Sequence, residues 1–187
     1  MNVHRPRRTL IAAVDEAYGM GNRGSENPMP VWVPNDLKHF KRETVGNTVL
    51  LGRKTYDTLP EQPLPGRKTI LVSRQRKELL REHYGVHDDL SFANSLEEAV
   101  KAHMLECPET DLFIAGGRSI YEQALEERYV DSAVLSRFPE EYGCDVQFPK
   151  ELFESYGWRI DSVDAFPVGA GSTAGFADFF LEKYSLR

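Results

Sequence analysis

Residues 111–128 read DLFIAGGRSIYEQALEER. The first five, 111–115, are an apolar run of strand length. A glycine pair, Gly116-Gly117, follows at once, and the remainder carries the spacing of a helix. A buried strand that turns through glycines straight into a helix is the repeating unit of an α/β sheet. Ligands of such sheets gather outside the carboxyl ends of the strands.

The same alternation extends outward in both directions. TLIAAVD (9–15) is too short for a helix and too continuous for a half-exposed strand, so it is expected to be a buried central strand. The Pro- and Gly-rich stretch 18–34 reads as a long loop, a class that is often functional. In NDLKHFKRET (35–44), Asn35 can cap a helix with Asp36 in its first turn. A strand is expected at 48–51, ended by Gly52, then a short helix over 53–60 closed by Pro60. Pro65-Gly66 suits a type II turn, and 69–73 reads as another strand. A helix over 75–83, a strand over 87–92 and a helix from the Ser95/Glu98 capping box to about Leu105 precede the opening stretch. After it come a strand at 130–136 and an antiparallel pair, 159–166 and 176–182. The fold class expected is α/β: one domain over 9–187 with a predominantly parallel central sheet, C-terminal antiparallel strands and flanking helices, preceded by a flexible basic tail over 1–8.

Composition narrows the function classes. The chain has 187 residues, 41% hydrophobic and 28% charged, enough for a core without disulfide or metal staples. The formal net charge of -6 argues against a general nucleic-acid binder. Cys107 and Cys144 lack a CxxC spacing, and no apolar run nears the roughly 20 residues of a membrane span. A cytoplasmic protein without nucleic-acid or membrane partners is expected. The five histidines lack metal-ligand spacing, so no metal is expected.

Four features are expected at the carboxyl ends of the strands: the loop after Val14, Gly52-Arg53-Lys54-Thr55, Ser73-Arg74, and Gly116-Gly117-Arg118-Ser119. Helix starts favour anions, so a polyphosphate ligand is reasonable. GxGxxG and GxxxxGK[ST] are both missing, which counts against a standard Rossmann fold and a P-loop. Gly116-Gly117 read equally well as a tight turn, and Arg53 and Lys54 as solvated helix-start residues. Asp36 is either a locally satisfied helix-start carboxylate or a group facing a pocket beside Leu37 and Phe40. In the pocket it would suit the amidine-like edge of a heterocycle. Arg67 is either a solvated turn residue or a fork for an anionic tail.

Six blocks in order carry a resemblance over nearly the whole chain: LIAAVDEAYGMGN followed by MP, VPNDLKHFKRET, VLLGRKTYDTLP, PLPGRKTILVS, IAGGRSIYEQAL and CDVQFP. The chain resembles dihydrofolate reductase. That resemblance implies the dihydrofolate-reductase-like fold and reduction of 7,8-dihydrofolate by NADPH, with hydride delivered to C6 and a solvent proton to N5. Asp36 would hold the pterin N3 and 2-amino edge, with Ser136 in place of a usual threonine. Ile11, Ala13, Val31, Leu37, Phe40, Leu59, Leu64 and Tyr121 would line the substrate site, and Arg67 would grip the glutamate α-carboxylate. On the cofactor side the resemblance implies Ala13, Gly21, Arg53, Lys54, Thr55, Ser73, Arg74, Gly116, Gly117, Arg118, Ser119, Ile120 and Tyr121. Gly116-Gly117 would form a cis bond. Antifolate binding and a monomeric state are also implied.

The chain departs from the family pattern in two places. Residues 23–28 are extra, and Val31 stands where the family usually has a tryptophan, with Trp32 one position later. Two other readings remain: a related pyrimidine or pterin reductase, and a non-catalytic folate- or NADPH-binding protein.

Overall fold

The computed structural model describes residues 6–23, 34–166 and 178–186. In chain order the elements are β1 (Arg8–Val14), β2 (Gly19–Gly21), α1 (Pro34–Thr44), β3 (Thr48–Gly52), α2 (Arg53–Tyr56), β4 (Lys68–Val72), α3 (Lys77–Tyr84) and β5 (Leu90–Ala93). They continue with α4 (Leu96–Glu106), β6 (Leu112–Ile114), α5 (Arg118–Glu126), β7 (Ser132–Arg137), β8 (Val146–Gln147), α6 (Lys150–Glu154), β9 (Trp158–Phe166) and β10 (Phe179–Leu186). Eight strands make one sheet in the order β5-β4-β3-β6-β1-β7-β10-β9, and β2 pairs with β8 separately. The six strands from β5 to β7 run parallel, while β10 is antiparallel to both β7 and β9.

Alternation along β1 divides the core. Leu10, Ala12 and Val14 face one layer with Ala99 and Val100 of α4, Ala124 and Leu125 of α5, and Phe153 of α6. Ile11 faces the other, with Val49, Leu51, Leu71, Tyr56 of α2, Leu80 of α3 and, at its edge, Phe40 of α1. Leu10, Val14, Leu50, Leu112 and Ile114 expose no surface. Burying an aliphatic side chain of this size stabilises the fold by about 1.5–3 kcal/mol. The Ile11 face also decides where the site lies. Ile11 opposes Val134 and Ala13 opposes Ser136, so these four residues share the side covered by α1.

Several boundaries differ from the sequence expectations. Arg8, assigned to the tail, opens β1, because its guanidinium and backbone N–H both bond to the Asp131 carboxylate. Residues 1–5 of that tail lie outside the described residues. The helix at 53 makes one turn only, since Thr58 and Leu59 bond three residues back, to the carbonyls of Thr55 and Tyr56. α3 starts two residues late because the Ser73 hydroxyl accepts from the Gln75 N–H and holds a turn there. A turn closed by Leu90 N–H on the His87 carbonyl delays β5. β7 begins at Ser132, just past Asp131, whose N–H bonds to the Arg8 carbonyl, and β10 runs on to Leu186. The Ser95 cap is present: its hydroxyl accepts from the Glu98 N–H at 3.1 Å. The β2–β8 pair and α6 were not expected from sequence.

Candidate active site

Two ends of the strands are joined by glycines. The Gly52 N–H at the end of β3 donates to the Gly116 carbonyl after β6, at 2.7 Å. The Gly116-Gly117 peptide is cis, and Gly116 has φ +92°. A Cβ on Gly116 would lie 2.7 Å from Cζ of Tyr121, one on Gly117 would lie 2.9 Å from Oγ1 of Thr55, and one on Gly52 would lie 3.3 Å from Cγ1 of Ile120. Only glycines let the starts of α2 and α5 approach this closely. Gly52 and Gly117 are themselves the N-caps of those helices, and neither provides a side-chain cap. In α5 the Ile120 and Tyr121 N–H groups already bond to the Gly117 carbonyl, at 2.9 and 3.1 Å, so it is the N–H groups of Arg118 and Ser119 that a helix start of this kind offers to an external acceptor.

The polar side chains around this seam are arranged unevenly. Lys54, Ser119 and Arg74 are exposed, Thr55 and Ser73 are half-buried, and Ile120 is buried in the core. Arg53 is half-exposed and lies 3.9 Å from Asp57. Arg118 is already engaged, donating to Glu122 at 2.7 Å and to the Gln147 carbonyl of β8 at 3.1 Å. Gly21 sits in β2 opposite Val146.

Across the cleft, α1 carries Asp36 in its first turn. The Ser136 hydroxyl of β7 donates to Oδ1 of Asp36. Burial pushes the Asp36 carboxyl above the usual carboxylate range, and the Ser136 hydrogen bond pulls it partly back. Tyr121 is buried on α5, and its hydroxyl donates to the Ile11 carbonyl at 2.7 Å. Burial first, and the nearby Asp36 charge second, raise the Tyr121 phenol well above its ordinary value. Tyr121 therefore remains a neutral donor that fixes the Ile11 carbonyl.

Arg67 forms the far end. It is 5% exposed, yet among the described residues no carboxylate forms an ion pair with it. Nε donates to the Pro65 carbonyl at 3.1 Å and Nη1 to the Thr44 hydroxyl at 3.2 Å. The guanidinium stands 5.8 Å from the centre of the Phe40 ring. Burial lowers its pKa, and the charge of Glu61 opposes that shift only in part. A fork in this state is suited to an incoming carboxylate.

The other expected lining residues divide between core and cleft. Ile11 and Leu64 are buried, Ala13, Phe40 and Leu59 are half-buried, and Leu37 is 42% exposed. Val31 and Trp32 lie outside the described residues, as do 24–28 of the inserted stretch. Sequence reasoning missed Thr44, which braces Arg67 while donating to the Phe40 carbonyl at 2.6 Å. Its position four residues after Phe40 on one helix was the available signal. It also missed Asp15, 1% exposed, which accepts from the Gly19 and Tyr142 N–H groups and holds the entrance to β2. Further on, Asp145 accepts from the Arg23 N–H, while its own N–H donates to the Asn22 side chain.

A family model described as dihydrofolate reductase matches residues 8–171. The chain is 33% identical over 156 residues to dihydrofolate reductase type 9 of Escherichia coli, covering 82% of this chain and 81% of that one. It is likewise 33% identical over 136 residues to dihydrofolate reductase type 3 of Salmonella typhimurium, covering 73% and 75% respectively. Among solved structures it is similar to dihydrofolate reductase from Enterococcus faecalis in complex with NADP(H) and RAB-propyl. That match has a TM-score of 0.77 and 25% identity, covering 96% of this chain and 95% of that one.

Proposed function

This chain belongs to the dihydrofolate reductase family, and from that premise we propose that it reduces 7,8-dihydrofolate to 5,6,7,8-tetrahydrofolate with NADPH. The observation that carries the reading is the Ser136–Asp36 hydrogen bond beside the Ile11–Ala13 segment of β1. It orients one oxygen of the carboxylate, and among the described residues no hydrogen bond is made to the other, which suits N–H donors of a heterocycle.

Asp36 holds the pterin through N3 and its 2-amino group. Burial disfavours the ionised carboxylate, and two charge-assisted hydrogen bonds from the heterocycle restore it. Ser136 keeps Asp36 in one rotamer. N5 takes its proton from solvent, and Asp36 favours that protonation from the opposite side of the ring. Ile11 and Ala13 line the pterin, while Leu37, Phe40, Leu59 and Leu64 exclude water from it and from the aminobenzoyl ring. Arg67, braced by Thr44, takes the α-carboxylate of the glutamate tail.

The cofactor fits what is present. Uncapped α2 and α5 starts and a seam that any Cβ would fill make a cradle for a pyrophosphate. Gly116, Gly117, Arg118, Ser119 and Ile120 would hold it from the β6–α5 junction, Arg118 and Ser119 through their backbone N–H groups, and Lys54 and Thr55 from α2. Arg53, Ser73 and Arg74 would take the ribose 2′-phosphate, with Ala13, Gly21 and Tyr121 toward the nicotinamide end. When bound, NADPH supplies the hydride that the pterin accepts at C6. A cytoplasmic monomer is the state we assign to the protein, and sedimentation of the purified chain checks the monomer.

The test is the decrease in NADPH absorbance on mixing protein, NADPH and dihydrofolate. Dihydrofolate-dependent oxidation that is lost in Asp36→Asn supports the reading. A folded protein that binds both ligands without oxidation sinks it.

A further inference from the structure

Tyr84 closes α3 and is held on three sides. Its ring meets Tyr56 edge-on at 5.3 Å, lies near-parallel to Phe92 at 6.4 Å, and contacts the His83 ring at 4.5 Å. Its hydroxyl is thus a fixed point, and it donates to Oδ1 of Asp57 at 2.6 Å. The other carboxylate oxygen, Oδ2, faces Nη1 of Arg53 at 3.9 Å, one turn back along α2. Burial, and then the bond to Asp57, pushes the Tyr84 phenol up to about 12, so it stays a donor throughout the neutral range. Tyr56, Asp57, His83 and Tyr84 share the wall of a cavity of about 460 Å³ with Gln62. The Gln62 side chain ties that wall together by donating to the Tyr56 carbonyl at 2.8 Å.

The contacts therefore run from a clamped aromatic ring, through one carboxylate, to the Arg53 guanidinium, which also acts directly on the Tyr84 hydroxyl. The Arg53–Asp57 contact is long and half-exposed, with side chains 38% and 41% exposed. It contributes little to stability. It does bias the direction of a flexible side chain whose five N–H donors suit an anion.

We propose that Asp57 and Tyr84 are positioning residues that orient Arg53 toward the phosphate on the adenosine ribose, and so set part of the preference for NADPH over NADH. This rests on the assignment of Arg53 to that phosphate in the proposed function. On this reading both act through Arg53 rather than on the cofactor itself.

The experiment measures equilibrium binding of 2′,5′-ADP and 5′-ADP, together with KM and kcat for NADPH and NADH. The proteins are wild type, Tyr84→Phe, Asp57→Asn, Arg53→Ala and the Tyr84→Phe/Arg53→Ala pair. Tyr84→Phe keeps the ring packing and removes only the hydroxyl. It is expected to weaken 2′,5′-ADP and raise the KM for NADPH by roughly threefold to tenfold, with 5′-ADP, NADH and kcat unchanged. Asp57→Asn, which keeps an acceptor but loses the charge, shifts the same quantities in the same direction. In the Arg53→Ala background the Tyr84 change adds nothing.

Equal losses for both nucleotides in Tyr84→Phe mean a merely structural role and overturn the proposal. Tighter 2′,5′-ADP binding in Asp57→Asn overturns it as well. If Arg53→Ala lowers the preference while Tyr84→Phe and Asp57→Asn leave it intact, the network fails and the Arg53 assignment stands. If Arg53→Ala leaves the preference intact, the underlying assignment itself fails.

Discussion

The Ser136 hydroxyl reaches Asp36 across a hundred residues of sequence, and it does so because Ala13 opposes Ser136 on the face of the sheet that α1 covers. The carboxylate is therefore oriented by the sheet, although it is carried by a helix. Burial raises its pKa, so between its unfolded value and its raised folded value the native state holds the extra proton. Stability from this group is present at low pH and is lost as pH rises through that window.

Asp36→Asn keeps an acceptor for Ser136 and removes the charge. Its thermal midpoint is expected to equal or exceed that of wild type at pH 7, with the difference shrinking as pH falls toward 4. The hydride-transfer rate is expected to fall by at least a hundredfold. Melting curves across pH and single-turnover kinetics check both halves. A variant clearly less stable than wild type at pH 7 would contradict the burial argument.

Arg67 offers a sharper test of the substrate's length. Arg67→Lys loses the planar fork, and the KM for dihydrofolate is expected to rise by roughly thirtyfold, about 2 kcal/mol for a charge-assisted pair. A dihydropterin without the glutamate tail should show no such change. Thr44→Val removes one brace and is expected to give a smaller shift in the same direction. Equal effects on the two substrates would remove Arg67 from the tail site.

Two glycines separate strain from space. Gly46 has φ +78° and nothing within 4 Å of an added Cβ, whereas Gly116 has φ +92° and meets the Tyr121 ring at 2.7 Å. Gly46→Ala is expected to cost about 1 kcal/mol from backbone conformation alone. Gly116→Ala adds overpacking of about 1–3 kcal/mol. It also displaces the hydroxyl that holds the Ile11 carbonyl, so it should lose activity as well. Denaturant unfolding and turnover of the two variants give the comparison.

Arg74 is exposed just past the end of β4. Arg74→Ala is expected to raise the KM for NADPH several-fold while sparing NADH, since an exposed guanidinium acts there by charge more than by packing. Steady-state kinetics with both cofactors decide it, and parallel losses would move Arg74 off the 2′-phosphate.

The parallel strands and α1, α4 and α5 were legible because apolar runs, the Ser95/Glu98 cap and the Gly116-Gly117 turn are local signals. Of the residues drawn from motif blocks, Asp36 lies in the first turn of α1, Arg67 immediately before β4 and Tyr121 within α5. What escaped notice depends on partners distant in sequence. Gly19 and Gly21 have no strand pattern of their own and become β2 only by pairing with Gln147 and Val146. Thr44 matters because Arg67 folds back over α1, and Asp57 because Tyr84 arrives from α3. Arg118 shows the converse. Its place at a helix start suggests a phosphate contact, yet Glu122 and Gln147 occupy its guanidinium, leaving mainly its backbone N–H to offer.

The glycine seam couples three positions through space. A methyl at 117 needs Thr55 to give way, one at 116 needs Tyr121 to move, and one at 52 presses on Ile120. Each of those neighbours belongs to the first turn of α2 or of α5. A side chain added at any of the three positions therefore forces an adjustment on the far side of the seam, and the seam acts as one steric unit.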